Sequence, residues 1–224
     1  MLSHAELLKL KRWNTPTIYN GWEQITQNDI TQHFNQEEVH DFMPHMGVMV
    51  GYAVTAKVRA RERPQQAPAP WDMWAAMERL PKPRIVVIED LDYPNPVGSF
   101  WGEVNGSVYM GLGAIGTVTN GGVRDLPEVR ATGFHFFSTC VLVSHAYVHL
   151  VEVGGPVSVG GLTVNPGDLL HGDEHGVTSV PLEIARDLPK AAQAVEARER
   201  VIIDFARSPE CTADGLKSLF QQDR

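Results

Sequence analysis

The spacing of apolar residues predicts a mixture of helices and strands in the first half of the chain. Residues 46–61 alternate and are rich in valine, which is typical of a strand, and the continuous apolar run at 85–89 predicts a buried strand. Residues 61–70 contain three prolines and predict a surface loop, and residues 71–80 look helical. The first 45 residues predict short helices, so the strand content begins after them.

Two successive β-α units follow the buried strand at 85–89. A loop leads into a helix from about Gly102 to Ala114, and a short strand then runs from Gly116 to Asn120. After the Gly121-Gly122 turn, a second helix ends at Gly133 and another apolar strand follows. Right-handed crossovers make such strands parallel and bring functional groups together at their carboxyl ends.

The second half of the chain has a different pattern. Residues 141–181 contain β-runs separated by glycine-rich turns, which predicts an antiparallel meander. A long amphipathic helix is expected over 182–206, and 207–224 is a polar tail. The predicted fold class is α/β, with a mixed central sheet layer flanked by helices, and we expect one domain over 1–224.

Composition and charge limit which partners the protein can bind and in which compartment we expect it. The chain has 224 residues, of which 43% are hydrophobic and 21% charged, and its net charge is −8. No run of basic residues could follow a phosphate backbone, so we do not expect nucleic acid as a ligand. The two cysteines, Cys140 and Cys211, are too few for a disulfide framework, and no apolar run is long enough to cross a membrane. A cytoplasmic location without membrane contact is expected.

The candidate chemistry lies at the two β-α junctions. Glu103 opens the first helix, and Arg124, Asp125 and Glu128 stand at the start of the second. A helix that begins near Gly102 offers free N–H groups and the positive end of its dipole to an anion. Arg124 can grip the same anion, and Asp125 could hold Mg²⁺ or Mn²⁺, which take only one or two protein carboxylates.

Each of these residues also has a structural interpretation. Arg124 and Asp125 could form a surface ion pair in which Asp125 caps its helix, and Glu103 could be a solvated acid in a first helical turn. Gly121-Gly122 could provide a tight turn with positive φ. The segment from His171 to His175 is interpreted as a turn in which Asp173 accepts hydrogen bonds from nearby N–H groups.

Three motifs together resemble the RraA-like family. They are Trp101-Gly102-Glu103, the segment from Gly121 to Asp125, and the segment from Pro166 to Val177. The resemblance covers roughly residues 47–185. This family includes 4-hydroxy-4-methyl-2-oxoglutarate aldolases, which also decarboxylate oxaloacetate, and regulators of ribonuclease E activity. The aldolase pattern has Asp where this chain has Glu103, whose side chain is longer by one methylene.

The resemblance implies specific roles for the site residues. The pyruvyl group of a 2-oxo acid is expected to bind at four successive residues, which are Gly102, Glu103, Val104 and Asn105. Arg124 is expected to bind substrate and Asp125 to bind the divalent metal, so the catalytic residues are Glu103, Arg124 and Asp125. A water on the metal, hydrogen-bonded to Glu103, would transfer the protons.

The function implied by the resemblance is a metal-dependent lyase that forms pyruvate through a metal-stabilised enolate. The implied fold is a swivelling α/β/β/α-type domain that assembles as a trimer or hexamer, with its sites between subunits. The alternative function is a non-catalytic protein-binding regulator similar to the ribonuclease E regulators. Metal-dependent turnover would favour the enzyme.

Overall fold

The structure, a computed structural model, describes residues 1–26 and 29–222. The helices in these ranges are α1 (His4–Leu10), α2 (Thr15–Ile25), α3 (Pro70–Glu78), α4 (Glu103–Gly111), α5 (Leu126–Thr132), α6 (Leu188–Ala206) and α7 (Ala213–Gln222). The strands are β1 (His40–Asp41), β2 (Met49–Arg59), β3 (Arg84–Asp90), β4 (Ala114–Thr119), β5 (Gly122–Val123), β6 (His135–Ser138), β7 (Cys140–Val141), β8 (His149–Val153), β9 (Val157–Val159), β10 (Leu162–Val164), β11 (Leu169–Asp173) and β12 (Gly176–Val180). A short 3₁₀ helix spans Pro44–Met46.

The main sheet is mixed, as predicted. Within the described residues its order is β1-β6-β4-β3-β2-β11-β12, and β8 pairs with another part of β2. The central strands β2, β3, β4 and β6 are parallel, and one row of paired residues crosses all four of them, from Val54 through Val86 and Thr117 to Phe136. The predicted β-α units are therefore confirmed, and the carboxyl ends of these strands lie along one edge.

Strand β3 is buried because both faces of the sheet are covered. Val86 and Ile88 pack in a cluster with Met73 of α3 and with Trp101, which precedes α4. The alternate residues of β3 pack against the β9-β10 hairpin on the other face. A continuous apolar run is what a parallel strand covered on both faces requires, which explains why its sequence does not alternate.

The antiparallel strands predicted after residue 141 are present, but they do not form a single meander. Strands β8 and β11 both pair antiparallel with β2, at its opposite ends, and β11 forms a hairpin with β12. The β9-β10 hairpin separates from this sheet and buries Val157, Leu162 and Val164 against it. The β9-β10 hairpin interrupts the meander because it covers the second face of the main sheet.

The helical prediction for the first 45 residues holds over 4–25. Ser3 and Glu6 form a capping box at the start of α1, and the Asn14 side chain caps α2. Later in this segment, β1 pairs antiparallel with β6, which adds an edge strand that the helical prediction does not contain. Residues 27 and 28 lie outside the described residues.

The C-terminal helix begins six residues later than predicted, at Leu188. Residues 182–187 form turns, and Pro189 stands in the first helical turn, where its missing N–H costs nothing. Its buried face packs on α2, where a Cβ added at Gly21 would meet the main chain at Ala192. Helix α7 lies within the predicted polar tail.

Among the described residues, none of the helices combines the length and the hydropathy that a membrane span requires.

The histidine at the centre of β11 ties the second hairpin to the N-terminal helices. His171 is fully buried, with Nδ1 3.0 Å from the Thr15 hydroxyl and Nε2 3.2 Å from the Leu10 carbonyl oxygen. Since a carbonyl only accepts, Nε2 donates to Leu10. Burial favours the neutral ring, in which Nδ1 accepts from the Thr15 hydroxyl. Asp173 accepts from the main-chain N–H groups of His175 and Thr15, which agrees with the predicted turn role and extends it to the start of α2.

We expect His171 to make the protein less stable in acid. Burial lowers the pKa of His171 to about 4, whereas the ordinary value is about 6.5. Between these pH values the unfolded chain binds more protons, so the free energy of unfolding falls as the pH falls, by up to about 3 kcal/mol. Urea denaturation at pH 7, 5.5 and 4 should therefore show the wild type losing more stability than His171→Asn.

The control for this measurement is His4→Asn, because His4 is exposed at the start of α1. It should follow the wild-type pH dependence. Parallel curves for the wild type and His171→Asn would show that His171 is not responsible.

Candidate active site

The two β-α junctions are held side by side by main-chain contacts. Trp101 pairs with Val123 in a parallel bridge, and the Arg124 N–H donates to the Trp101 carbonyl at 3.1 Å. The buried Ser99 hydroxyl oxygen lies 2.6 Å from the Trp101 carbonyl and 2.8 Å from that of Gly122. The start of α4 is therefore fixed against the segment that leads into α5.

Trp101 anchors this arrangement in the core. Its ring is fully buried and contacts the rings of Phe100, Tyr109, Phe134 and Phe136 at centroid separations of 5.1 to 6.4 Å. Edge and tilted contacts of this kind add to the burial of apolar area. A residue next to the site is thus locked by packing, which limits how far Gly102 and Glu103 can move.

Asp125 has an unusual conformation and an unusual partner. Its φ of 56° and ψ of 41° are left-handed, a region that a residue with a side chain occupies at a cost of order 1 kcal/mol. It stands at the N-cap position of α5, as the structural interpretation expects, but its side chain does not cap that helix. Instead, Asp125 Oδ2 accepts from the Glu103 N–H at 3.0 Å, so it caps α4.

The predicted Arg124–Asp125 ion pair is present but loose. Arg124 Nε lies 3.7 Å from Asp125 Oδ2, and both side chains are about one-third exposed. An exposed pair of this kind contributes little to stability. A cationic group and a carboxylate are thereby presented together to solvent at the start of α4.

Two N–H groups at this helix start are available to a ligand. The first turn of a helix has no internal acceptors for its N–H groups, and Asp125 satisfies only that of Glu103. Within the described part of the chain, the N–H groups of Val104 and Asn105 have no hydrogen-bond partner. They add donors and the positive end of the α4 dipole to the charge of Arg124.

The side chains of the predicted residues differ in where they lie. The Glu103 and Glu128 carboxylates are exposed, and Val104 is 74% exposed. The Asn105 side chain has a structural partner, since its amide donates to the Phe100 carbonyl at 2.6 Å. The structure therefore brings together the side chains of Arg124 and Asp125 with the main chain of Gly102 to Asn105.

Three glycines at the site are required for space. A Cβ at Gly102 would collide with Asp125 Oδ2 and crowd Arg124, although its backbone is extended. The expected positive φ at Gly121-Gly122 is wrong, since neither has one. A Cβ at Gly121 would meet the Asp90 carboxylate at 2.7 Å, and one at Gly122 would overlap Leu142.

Asp90 is a residue next to the site that the sequence analysis missed. It ends β3, is 2% exposed, and its Oδ1 accepts from the Asp92 N–H. Its main chain exchanges hydrogen bonds with the Asn120 side chain, at 2.6 and 3.3 Å. Burial raises the pKa of Asp90 to about 6. An acid at the carboxyl end of a buried parallel strand was the signal that could have identified it.

The residues present fit a metal ion that is mostly coordinated by water. Among the described residues no group of three or more His, Cys, Asp or Glu side chains could hold a metal. Mg²⁺ and Mn²⁺ do not need such a group, because one or two carboxylates with several waters suffice. Asp125, with a side chain 36% exposed, meets this requirement as a single protein ligand.

The sequence profile of the RraA-like family, described as aldolase/RraA, matches residues 15–179, and the chain belongs to this family. The predicted membership is confirmed. The family includes both aldolases and ribonuclease E regulators.

Individual relatives match parts of the chain. Protein DlpA of Legionella pneumophila is 26% identical over 128 residues, which are 56% of this chain and 20% of DlpA. A Halalkalibacterium halodurans protein provisionally named 4-hydroxy-4-methyl-2-oxoglutarate aldolase is 33% identical over 98 residues, which are 42% of this chain and 47% of the relative. The chain thus spans less than half the length of either curated relative.

A solved structure confirms the fold. RraAS2 of Streptomyces coelicolor, an unusual member of the RNase ES inhibitor RraA protein family, superimposes with a TM-score of 0.69. The two are 21% identical, and the match covers 89% of this chain and 96% of RraAS2.

We expect Gly102→Ala to destabilise the protein by about 1 to 3 kcal/mol, because its methyl group would displace Asp125 and Arg124. The matched control is Gly111→Ala at the exposed end of α4, where an added Cβ meets no atom within 4 Å. It should stabilise the protein by about 0.5 to 1 kcal/mol. Chemical denaturation of both variants checks this, and equal stabilities would contradict the described packing.

Proposed function

We propose that this chain is a cytoplasmic, divalent-metal-dependent lyase that converts a 2-oxo dicarboxylic acid to pyruvate. The substrates that we propose are 4-hydroxy-4-methyl-2-oxoglutarate, by cleavage of its C3–C4 bond, and oxaloacetate, by decarboxylation. The observation that carries the proposal is the meeting of Arg124, Asp125 and two unused N–H groups at the start of α4.

Substrate binding is assigned to Arg124 and the start of α4. A 2-oxo acid has a carboxylate next to its carbonyl, and this carboxylate suits the guanidinium together with the N–H groups of Val104 and Asn105. The absence of a side chain at Gly102 leaves room for the Asp125 carboxylate beside these donors. The substrate carboxylate would then lie next to the Asp125 carboxylate. Two neighbouring negative charges favour a cation between them.

Asp125 is assigned as the metal ligand. The ion that fits is Mg²⁺ or Mn²⁺, which when bound would supply a Lewis acid for the 2-oxo group. The left-handed backbone of Asp125 and its bond to the Glu103 N–H fix the direction of the carboxylate before any ligand arrives. Strain that is held by the surrounding structure is common at active sites and supports this assignment.

Glu103 is assigned to proton transfer. Its carboxylate is exposed at the first residue of α4, so it can exchange protons with solvent and approach a substrate held at that helix start. Cleavage requires a proton to leave the C4 hydroxyl and another to reach C3, and a carboxylate can serve both steps.

The proposed assembly is a trimer or hexamer, and exposed apolar residues near the site support self-association. Val104, Val141 and Val143 are 74%, 51% and 96% exposed, and β7, which contains Val141, pairs with β5 directly before Arg124. The same surface favours a second candidate function, a non-catalytic regulator that binds another protein. Metal-dependent turnover distinguishes the two, since protein capture would not need the Asp125 carboxylate.

Asp125→Asn should abolish metal-dependent pyruvate formation. Asn keeps an acceptor for the Glu103 N–H and tolerates a left-handed backbone, so the fold should be retained while the charge is lost. The measurement is pyruvate release from each substrate with Mg²⁺, with Mn²⁺ and with a chelator. The control is Glu210→Gln, an exposed acid between α6 and α7, which should keep its activity.

Unchanged turnover in Asp125→Asn would rule out its role as the metal ligand. No pyruvate from the wild type with either substrate would favour the regulator.

Arg124→Ala should raise KM about tenfold to a hundredfold with a smaller change in kcat, because it removes a charge-assisted contact to the substrate carboxylate. Steady-state kinetics with oxaloacetate provides the measurement. The matched control is Arg130→Ala, in the exposed last turn of α5. Equal kinetics of the two variants would exclude Arg124 from substrate binding.

A further inference from the structure

A basic cleft lies between α1 and the beginning of α6, away from the candidate active site. It has a volume of about 420 Å³ and is lined by Glu6, Lys9, Arg12, Trp13, Ala185, Arg186, Pro189, Lys190 and Gln193. We propose that this α1/α6 cleft binds a small multivalent anion that carries phosphate or carboxylate groups. None of its lining residues belongs to the site at α4 and α5.

The charge of the cleft is opposite to that of the protein. Lys9, Arg12, Arg186 and Lys190 line it together with a single acid, Glu6, which leaves a net charge of +3. The whole chain has a net charge of −8. Positive charge that is concentrated in a concave surface strengthens the local electrostatic potential. This potential favours the binding of an anion.

Glu6 neutralises only one of the four cations, because it pairs with Arg186 alone. Its Oε2 accepts from the N–H and hydroxyl of Ser3, at 2.7 and 2.8 Å, and its Oε1 accepts from Arg186 Nε at 2.9 Å. These hydrogen bonds lower the pKa of Glu6 to about 2. Its charge is thus committed to the α1 cap and to Arg186. Lys9, Arg12 and Lys190 form no ion pair with any described residue.

The two arginines are held in place before a ligand binds. Arg186 also donates to the Met1 carbonyl at 2.9 Å, in addition to its contact with Glu6. The Arg12 guanidinium lies 5.1 Å from the centroid of the Trp13 ring, and the Trp13 indole N–H donates to Glu196 at 3.1 Å. Planar guanidinium groups bind phosphate and carboxylate in a bidentate manner, and pre-orientation reduces the entropic cost of binding.

The size and charge of the cleft suit a small anion with several charged groups. A volume near 420 Å³ lies in the range of small-molecule sites. The three cations without an ion pair, Lys9, Arg12 and Lys190, exceed what a single carboxylate needs, so the ligand carries two or more anionic groups. The shared chemistry is that of a diphosphate or a tricarboxylate.

Isothermal titration calorimetry with pyrophosphate and, separately, citrate tests the proposal, at constant ionic strength and without divalent metal. We expect saturable binding of one anion per chain, weakened at least about tenfold in both Arg12→Ala and Lys190→Glu. Lys217→Ala, which changes an exposed lysine on α7, and Arg124→Ala, at the candidate active site, should bind as the wild type does.

Stronger binding of pyrophosphate assigns the phosphate class, and stronger binding of citrate assigns the carboxylate class; either supports the cleft if the cleft variants lose it. The proposal is overturned if neither anion saturates, if Lys217→Ala weakens binding as much as Lys190→Glu, or if only Arg124→Ala abolishes it.

Discussion

The hydrogen bond from the Glu103 N–H to the Asp125 carboxylate joins the two β-α units at the point where a ligand would bind. Parallel pairing of β3 and β4 brings the junctions to one edge of the sheet, but this bond determines how they meet. It requires a left-handed Asp125 and a glycine at position 102, and the next two N–H groups of α4 have no partner among the described residues. One contact thus determines both the shape of the site and the donors that it offers.

The parallel half of the fold was predictable because its signals are local. A short apolar run such as Ile85 to Ile88, rich in β-branched residues, is typical of a strand covered on both faces, and Gly133 ends the helix that follows β5. Local signals in the sequence also place Arg124 and Asp125 at a β-α junction. The position of the β9-β10 hairpin depends on contacts between residues distant in sequence, and the helical pattern before residue 45 gives no sign that β1 pairs with β6.

The site was predictable in its residue types and less so in its geometry. The sequence indicates an acid at the start of α5, but the positive φ of Asp125 depends on the partner that Gly102 and Glu103 provide across the junction. The sequence suggests backbone freedom as the reason for Gly121-Gly122, whereas in the structure the buried Asp90 carboxylate excludes a side chain at Gly121 and Leu142 excludes one at Gly122. Similarly, the basic residues of α1 and α6 are separated by about 180 positions in the chain, and only the fold places them in one cleft.

The close approach of Gly102 to Asp125 has a consequence for how this chain can change over time. A methyl group at position 102 and a carboxylate at position 125 compete for the same volume, so each residue limits what the other may become. A larger residue at position 102 becomes acceptable only after the side chain at position 125 has been shortened or redirected, which removes the α4 cap. The two positions are therefore expected to be replaced as a pair in divergent descendants, and a lineage that has lost one would have little reason to keep the other.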